Sequence, residues 1–251
     1  MNNREFVRKI ADSALTYPYG TFAVGVGRVN TCVNPFSYHL VRRHPELYNS
    51  MDGLFVDGMT MCWLIRLLWM KRVPRLSFDM SGMAVDLFSY LNNIGTDRSI
   101  YFLGTKQDVL EATIKQFYKN YPKMKIAGYR NGYFIDNDDR KKAIADIIKS
   151  KSDFAIIGMG SPLQEQFALD LKNAGYKGIV FTCGGFLHQS ASDINYYPKW
   201  VNKYNLRAFY RLFHEKGLWC RLYNVLIEFP ILFTWDTLRT KFIAHDIFKS
   251  V

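Results

Sequence analysis

Phe154-Ala-Ile-Ile-Gly-Met-Gly-Ser-Pro-Leu-Gln-Glu165 decides the fold. A short apolar run, Phe154–Ile157, reads as a buried strand and stops at Gly158. Proline is favoured in the first turn of a helix, so Pro162 opens a helix expected to run to Asn173. A strand, a glycine turn and a helix make one βα unit.

The same grammar extends in both directions. Phe22–Val29, Gly53–Val56, Ser99–Leu103, Met124–Ala127 and Gly178–Phe181 read as further strands. Met59–Met70, Met83–Asn92, Gln107–Lys119 and Asp139–Ser150 read as helices between them. Alternation of this kind predicts an α/β fold, Rossmann-like, with a mainly parallel sheet and helices on both faces. Ligands of such sheets bind at the carboxyl ends of the strands. Asp57, Gly104, Gly128, Gly158, Gly160, Gly184 and Gly185 all fall at those expected ends. From Tyr196 onward only helical signals remain, rich in Lys, Arg and Trp (Lys199, Arg207, Arg211, Arg221, Trp200, Trp219, Trp235). The expected division is an α/β catalytic core over residues 1–195 and a helical appendage over 196–251.

Composition narrows the partners. The 251 residues carry 33 Lys and Arg against 22 Asp and Glu, a formal charge of +11. Such an excess suits a polyanion: nucleic acid, anionic lipid or a diphosphate. Cys32, Cys62, Cys183 and Cys220 form no CxxC pair and no zinc set, as expected of a reducing compartment. The N-terminus has no apolar signal region, and no window reaches the roughly 18 uncharged apolar residues of a membrane span, so a soluble or peripheral protein is expected.

Three local motifs carry chemistry, each with a plainer alternative. The glycines and helix start of Gly158–Glu165 offer backbone N–H groups and a helix dipole to a phosphate, with Gln164 and Glu165 facing the same crevice; an ordinary tight turn explains the pattern equally. Asp57, between a strand and Gly58, suits a general base or a helix N-cap. Asp136-Asn-Asp138 has the spacing of a metal-binding pair, but it precedes a basic helix, and capping accounts for it. No Gly-x-Gly-x-x-Gly opens a helix, and no P-loop is present.

An ordered set of motifs resembles the WecG/TagA/CpsF glycosyltransferases, glycosyltransferase family 26. The set is Asn34-Pro35, Asp57-Gly58, Phe102-Leu-Gly104, Gly128 through Gly132-Tyr133-Phe134, Gly160-x-Pro-x-Gln-Glu165, Gly184-Gly185 and Leu206 through Tyr210-Arg-Leu212. The resemblance implies an inverting, metal-independent enzyme without cofactor. It would move a sugar from a UDP-sugar to a polyprenyl-diphosphate-linked acceptor in cell-surface polysaccharide synthesis. By the same resemblance Asp57 is the base, with Gln164 and Arg75 beside it. Asn34, Gly104, Gly132, Tyr133, Gly158, Gly160, Glu165, Gly184 and Gly185 line the donor site, and Arg211 and Arg221 receive the acceptor diphosphate. The implied setting is the inner face of the cell membrane, on an anionic surface, with a tendency to homo-oligomerise. The chain departs from the family in having Cys32 where many members carry a threonine, although Thr31 is adjacent. The rival classes are a nucleic-acid-binding protein and a non-catalytic nucleotide-binding regulator; neither needs Asp57.

Overall fold

The structure, a computed structural model, describes residues 2–18, 22, 27–93, 97–191, 201 and 222–249. Six parallel strands form one sheet in the order β2-β1-β6-β5-β3-β4. They are β1 (Arg28–Val33), β2 (Gly53–Val56), β3 (Ser99–Gly104), β4 (Lys125–Arg130), β5 (Phe154–Gly158) and β6 (Ile179–Thr182). The helices are α1 (Asn3–Thr16), α2 (Tyr38–Arg43), α3 (Pro45–Asn49), α4 (Met59–Trp69), α5 (Met83–Asn92), α6 (Gln107–Asn120), α7 (Asn137–Ser150), α8 (Leu163–Asn173), α9 (Phe186–Gln189) and α10 (Phe229–Lys249).

Strand periodicity sorts the core into two faces. Phe102, Ile156 and Phe181 pack under α5, α6 and α9, with Leu87, Phe117 and Phe186 filling the layer. Leu103, Ala155, Ile157 and Val180 alternate to the other face and meet Ile147 of α7 and Phe167 of α8. Next to them Val33, Leu54 and Val56 pack against α1 and α4. The chain runs from β3 through α6 outward to β4, and from β5 through α8 the opposite way to β6. Right-handed crossovers therefore send α6 and α8 to opposite faces, and a crevice opens where β3 and β5 end side by side.

One strand expectation needs correcting. The first strand is set later than the run Phe22–Val29: Phe22 lies in a turn against Tyr17 and Phe181, residues 23–26 lie outside the described residues, and β1 begins at Arg28. Asn30 and Thr31 look out of place in a buried strand, yet both are almost fully buried there. Thr31 is tolerated because its hydroxyl has partners inside the fold. Helix α1, unanticipated, is set by a capping box: Asn2 accepts from the Glu5 N–H at 3.0 Å and Glu5 accepts from the Asn2 N–H at 3.2 Å.

The C-terminal helix α10, within the expected appendage, is packed into the core. Phe229 and Phe233 are buried beside Phe6 and Tyr38, with the Tyr38 ring 5.3 Å from Phe229 and 5.5 Å from Phe233. Polar contacts fix its position. Asn3 donates to the Phe233 carbonyl at 3.2 Å, Trp69 Nε1 donates to Thr237 at 3.1 Å, and Arg42 pairs with Asp236 at 2.8 Å. Phe233→Ala should therefore cost about 3–5 kcal/mol of stability, measured by urea unfolding. A loss below about 1 kcal/mol would show that α10 lies outside the cooperative unit.

Candidate active site

Asp57 follows β2 directly, its N–H donating to the Val33 carbonyl at 2.8 Å. It does not cap α4; Gly58 holds the N-cap position, and the Asp57 carboxylate turns to Arg75 instead. Arg75 donates to Asp57 Oδ1 through Nε at 3.0 Å and Nη2 at 2.6 Å, so both bonds fall on one carboxylate oxygen. Arg75 is itself held: it donates to Ser77 Oγ at 2.9 Å, and Ser77 donates to Asp79 at 2.8 Å. Asp57 remains about one-third exposed, with 34% of its side chain accessible. Gly58 has φ 130°, and a Cβ there would lie 2.7 Å from the Pro35 ring, so the Asn34-Pro35 turn packs directly against the Asp57-Gly58 turn.

Cys32 points to this side of the sheet, donating to the Leu76 carbonyl at 3.6 Å, while Thr31 points to the other. Alternation along the strand thus puts Cys32, not Thr31, on the Asp57 side. Burial first, and then the Asp57 charge, push the Cys32 thiol well above its ordinary range. It is a protonated, non-nucleophilic side chain at neutral pH.

Across the crevice the glycines bring three turns together. A Cβ on Gly104 would stand 2.3 Å from the Gly158 carbonyl oxygen, and one on Gly132 would stand 2.9 Å from Gly104 Cα. Thr105 donates to Gly158 at 3.1 Å and Gly132 donates to Thr105 at 3.0 Å, joining the ends of β3 and β5 and the turn after β4. Tyr133 is exposed beside them. Gly160 and Gly184 border open space; Gly185 begins α9.

Gln164 and Glu165 lie beneath this surface rather than on it, 3% and 0% exposed. Glu165 Oε1 accepts from Thr31, Ser161 and Gln164, each at 2.9 Å, and Thr182 donates to Thr31 at 2.6 Å. Gln164 Oε1 accepts the Gly184 N–H at 3.0 Å. The pair therefore ties α8 to β1, β6 and the Gly184 turn, forming the crevice floor. Burial, together with the Glu165 charge, raises the nearby Tyr48 hydroxyl above its usual range.

Asn34 accepts from the Ser37 N–H at 2.9 Å, capping the turn Pro35–Ser37. Asp136 caps α7 by accepting from the Asp139 N–H at 2.8 Å, and Asp138 pairs with Lys141 at 3.0 Å. Arg211 and Arg221 lie outside the described residues. The structure thus joins Asp57 to Arg75 and Gln164 to Glu165 and the Gly184 turn. Ser77, Asp79, Ser161 and Thr182 complete these networks and were passed over in sequence. The period-two spacing Arg75-x-Ser77-x-Asp79 in an extended segment was the available signal for two of them.

The parallel α/β sheet carries a carboxylate and glycine turns along its carboxyl edge, and the class follows from the sequence comparison. The chain belongs to the glycosyl transferase WecG/TagA/CpsF family, whose profile matches residues 7–243, and it is a glycosyltransferase. It is similar to the UDP-Gal:alpha-D-GlcNAc-diphosphoundecaprenol beta-1,4-galactosyltransferase of Shigella boydii, 32% identical over 214 residues, 85% of this chain and 89% of that protein. It is also similar to the N-acetylglucosaminyldiphosphoundecaprenol N-acetyl-beta-D-mannosaminyltransferase of Bacillus subtilis (strain 168), 26% identical over 205 residues, 80% of this chain and 77% of that one.

Removing the Glu165 carboxylate leaves three buried donors without their acceptor. Glu165→Ala should lower stability by on the order of 3 kcal/mol, read as the shift in urea midpoint at constant slope. An unchanged midpoint would mean that the floor network contributes nothing.

Proposed function

We propose that this enzyme transfers a sugar from a UDP-sugar, with inversion, to a hydroxyl of a sugar carried on polyprenyl diphosphate. The observation that carries the reading is the oriented Asp57 carboxylate at the carboxyl edge of the sheet, one oxygen held by Arg75 and the other left for a proton. The acceptor hydroxyl attacks the anomeric carbon from the face opposite UDP. Its proton passes to Asp57 as the new glycosidic bond forms and the bond to the UDP oxygen breaks. Both similar enzymes are named for β-linked products on a diphosphoundecaprenol-linked acceptor. UDP-hexoses of the usual α configuration give β products by a single displacement.

The departing diphosphate carries the developing charge. Gly158–Ser161, at the start of α8, and the neighbouring Gly184 turn offer backbone N–H groups and a helix dipole. Gln164 and Glu165 act by shaping this surface from below. The acceptor lipid requires the enzyme to work at a membrane, in this reading peripherally on the inner leaflet; no helix among the described residues is long and apolar enough to cross one. Arg211 and Arg221 in the basic, aromatic tail are assigned to the acceptor diphosphate.

Asp57→Asn should reduce turnover at least about a hundredfold, the scale of general-base loss, with UDP affinity measured by calorimetry nearly unchanged. Near-normal turnover would remove Asp57 from the mechanism. Because the diphosphate is assigned to protein groups, dialysis against EDTA should leave transfer largely intact. Activity lost to EDTA and restored by Mg²⁺ or Mn²⁺ would overturn that assignment.

A further inference from the structure

Two neighbouring helices bury one face in the same core cluster and expose large apolar side chains on the other. In α4, Met61, Cys62 and Ile65 are buried, whereas Trp63, Leu67 and the following Met70 are 63%, 71% and 85% exposed. In α10, Phe229, Phe233 and Thr237 are buried, whereas Ile231, Trp235, Leu238 and Phe242 are exposed. At about 100° per residue, positions 231, 235, 238 and 242 fall within an arc of about 60°, opposite the buried stripe. An ordinary surface helix has one apolar stripe; α10 has two.

The two helices adjoin, so their outward stripes are neighbours on the surface. Both helices close over one cluster containing Met61, Ile65, Phe229 and Phe233, and they touch where Lys241 donates to the Leu68 carbonyl at 2.7 Å. Charge surrounds the apolar surface. Arg66, Lys71 and Arg72 border α4, and Met59–Arg75 contains no acidic residue. On α10, Arg239 and Lys241 flank the stripe on either side. Exposed Trp and Leu ringed by Lys and Arg is the pattern of a helix lying in a lipid interface, where aliphatic and aromatic groups enter the acyl boundary and cations meet anionic headgroups. A soluble partner of like apolar surface would not need cations on every side.

We propose that the outer faces of α4 and α10 together form the surface on which this enzyme docks on an anionic lipid leaflet. The inference rests on the membrane reading above and assigns its surface to described helices of the folded body. It also gives docking a geometric consequence. Helix α4 starts two residues after Asp57 and its following turn returns to Arg75, so the Asp57–Arg75 pair closes both ends of the docking segment. Trp63 lies about 6 Å along α4 from its first residue, Met59, which itself follows Asp57 by two residues, and this sets the base near the headgroups where a lipid-linked sugar stands.

The test is flotation of the full-length protein with vesicles of phosphatidylglycerol and phosphatidylcholine, against phosphatidylcholine alone. Wild type should float with the anionic vesicles at low salt and bind less at high salt. Leu67→Glu and Trp235→Glu should each lower the partition coefficient at least about tenfold, as loss of one buried large apolar side chain requires, with thermal midpoints unchanged. If either glutamate variant fails to fold, Leu67→Gln and Trp235→Gln serve, with the same direction expected. Wild-type flotation that the variants retain in full overturns this surface while leaving the membrane reading intact. Absence of wild-type binding overturns both. A wild-type dimer in sedimentation equilibrium that does not float, and that the same substitutions dissociate, assigns the face to a second copy of the chain and overturns the proposal.

Discussion

Parallel pairing is the constraint on which this molecule depends. All six strands run the same way, so every strand-to-helix turn reaches the same edge of the sheet. Where β3 sends its helix to one face and β5 sends its helix to the other, the edge opens into a crevice. Close approach of the turns at Gly104, Gly132 and Gly158 then shapes its bottom, because side chains at those positions would collide with neighbouring backbone.

Two polar assemblies turn that edge into a site. One is buried: Glu165 gathers three donors on Oε1 and Gln164 receives the Gly184 N–H, while Glu165 Oε2 meets no hydrogen-bond partner among the described residues. The other is half-exposed: Asp57 is aimed by Arg75, and Arg75 is aimed by Ser77 and Asp79. The division is a sensible one for catalysis. Groups that shape the edge are withdrawn from water, and the Asp57 carboxylate, the proposed base, is left accessible.

Much of this was legible in the sequence. Gly53–Val56, Ser99–Gly104, Phe154–Gly158 and Ile179–Thr182 announce themselves because an apolar run ending at glycine or Asp-Gly has few other readings. The first strand was misplaced because Phe22–Val29 is the more apolar run, whereas the true strand carries Asn30 and Thr31. Only the partners of Thr31 on α8 and β6, distant in sequence, make its burial tolerable. Asp57 was located but its alternatives stayed open, since a base and a helix cap occupy the same place in a strand–turn–helix pattern. Gln164 and Glu165 were located, yet their depth was not: residues in the first turn of a helix face the crevice or the core according to the roll of that helix, which packing of Phe167, Ala168 and Leu171 decides. The docking of α10 was hidden for a related reason, its two apolar stripes blurring the amphipathic signal that separates core from surface.

The central claim is that the nucleotide-sugar occupies the carboxyl edge between the Asp57 turn and the glycine turns. Photo-crosslinking with an azido-uracil UDP-sugar, followed by peptide mass spectrometry, tests it most directly. Label should fall on the turns around Gly104, Gly132–Tyr133, Gly158–Ser161 or Gly184, and unlabelled UDP should compete it away. Competable label found only elsewhere on the chain would contradict the account.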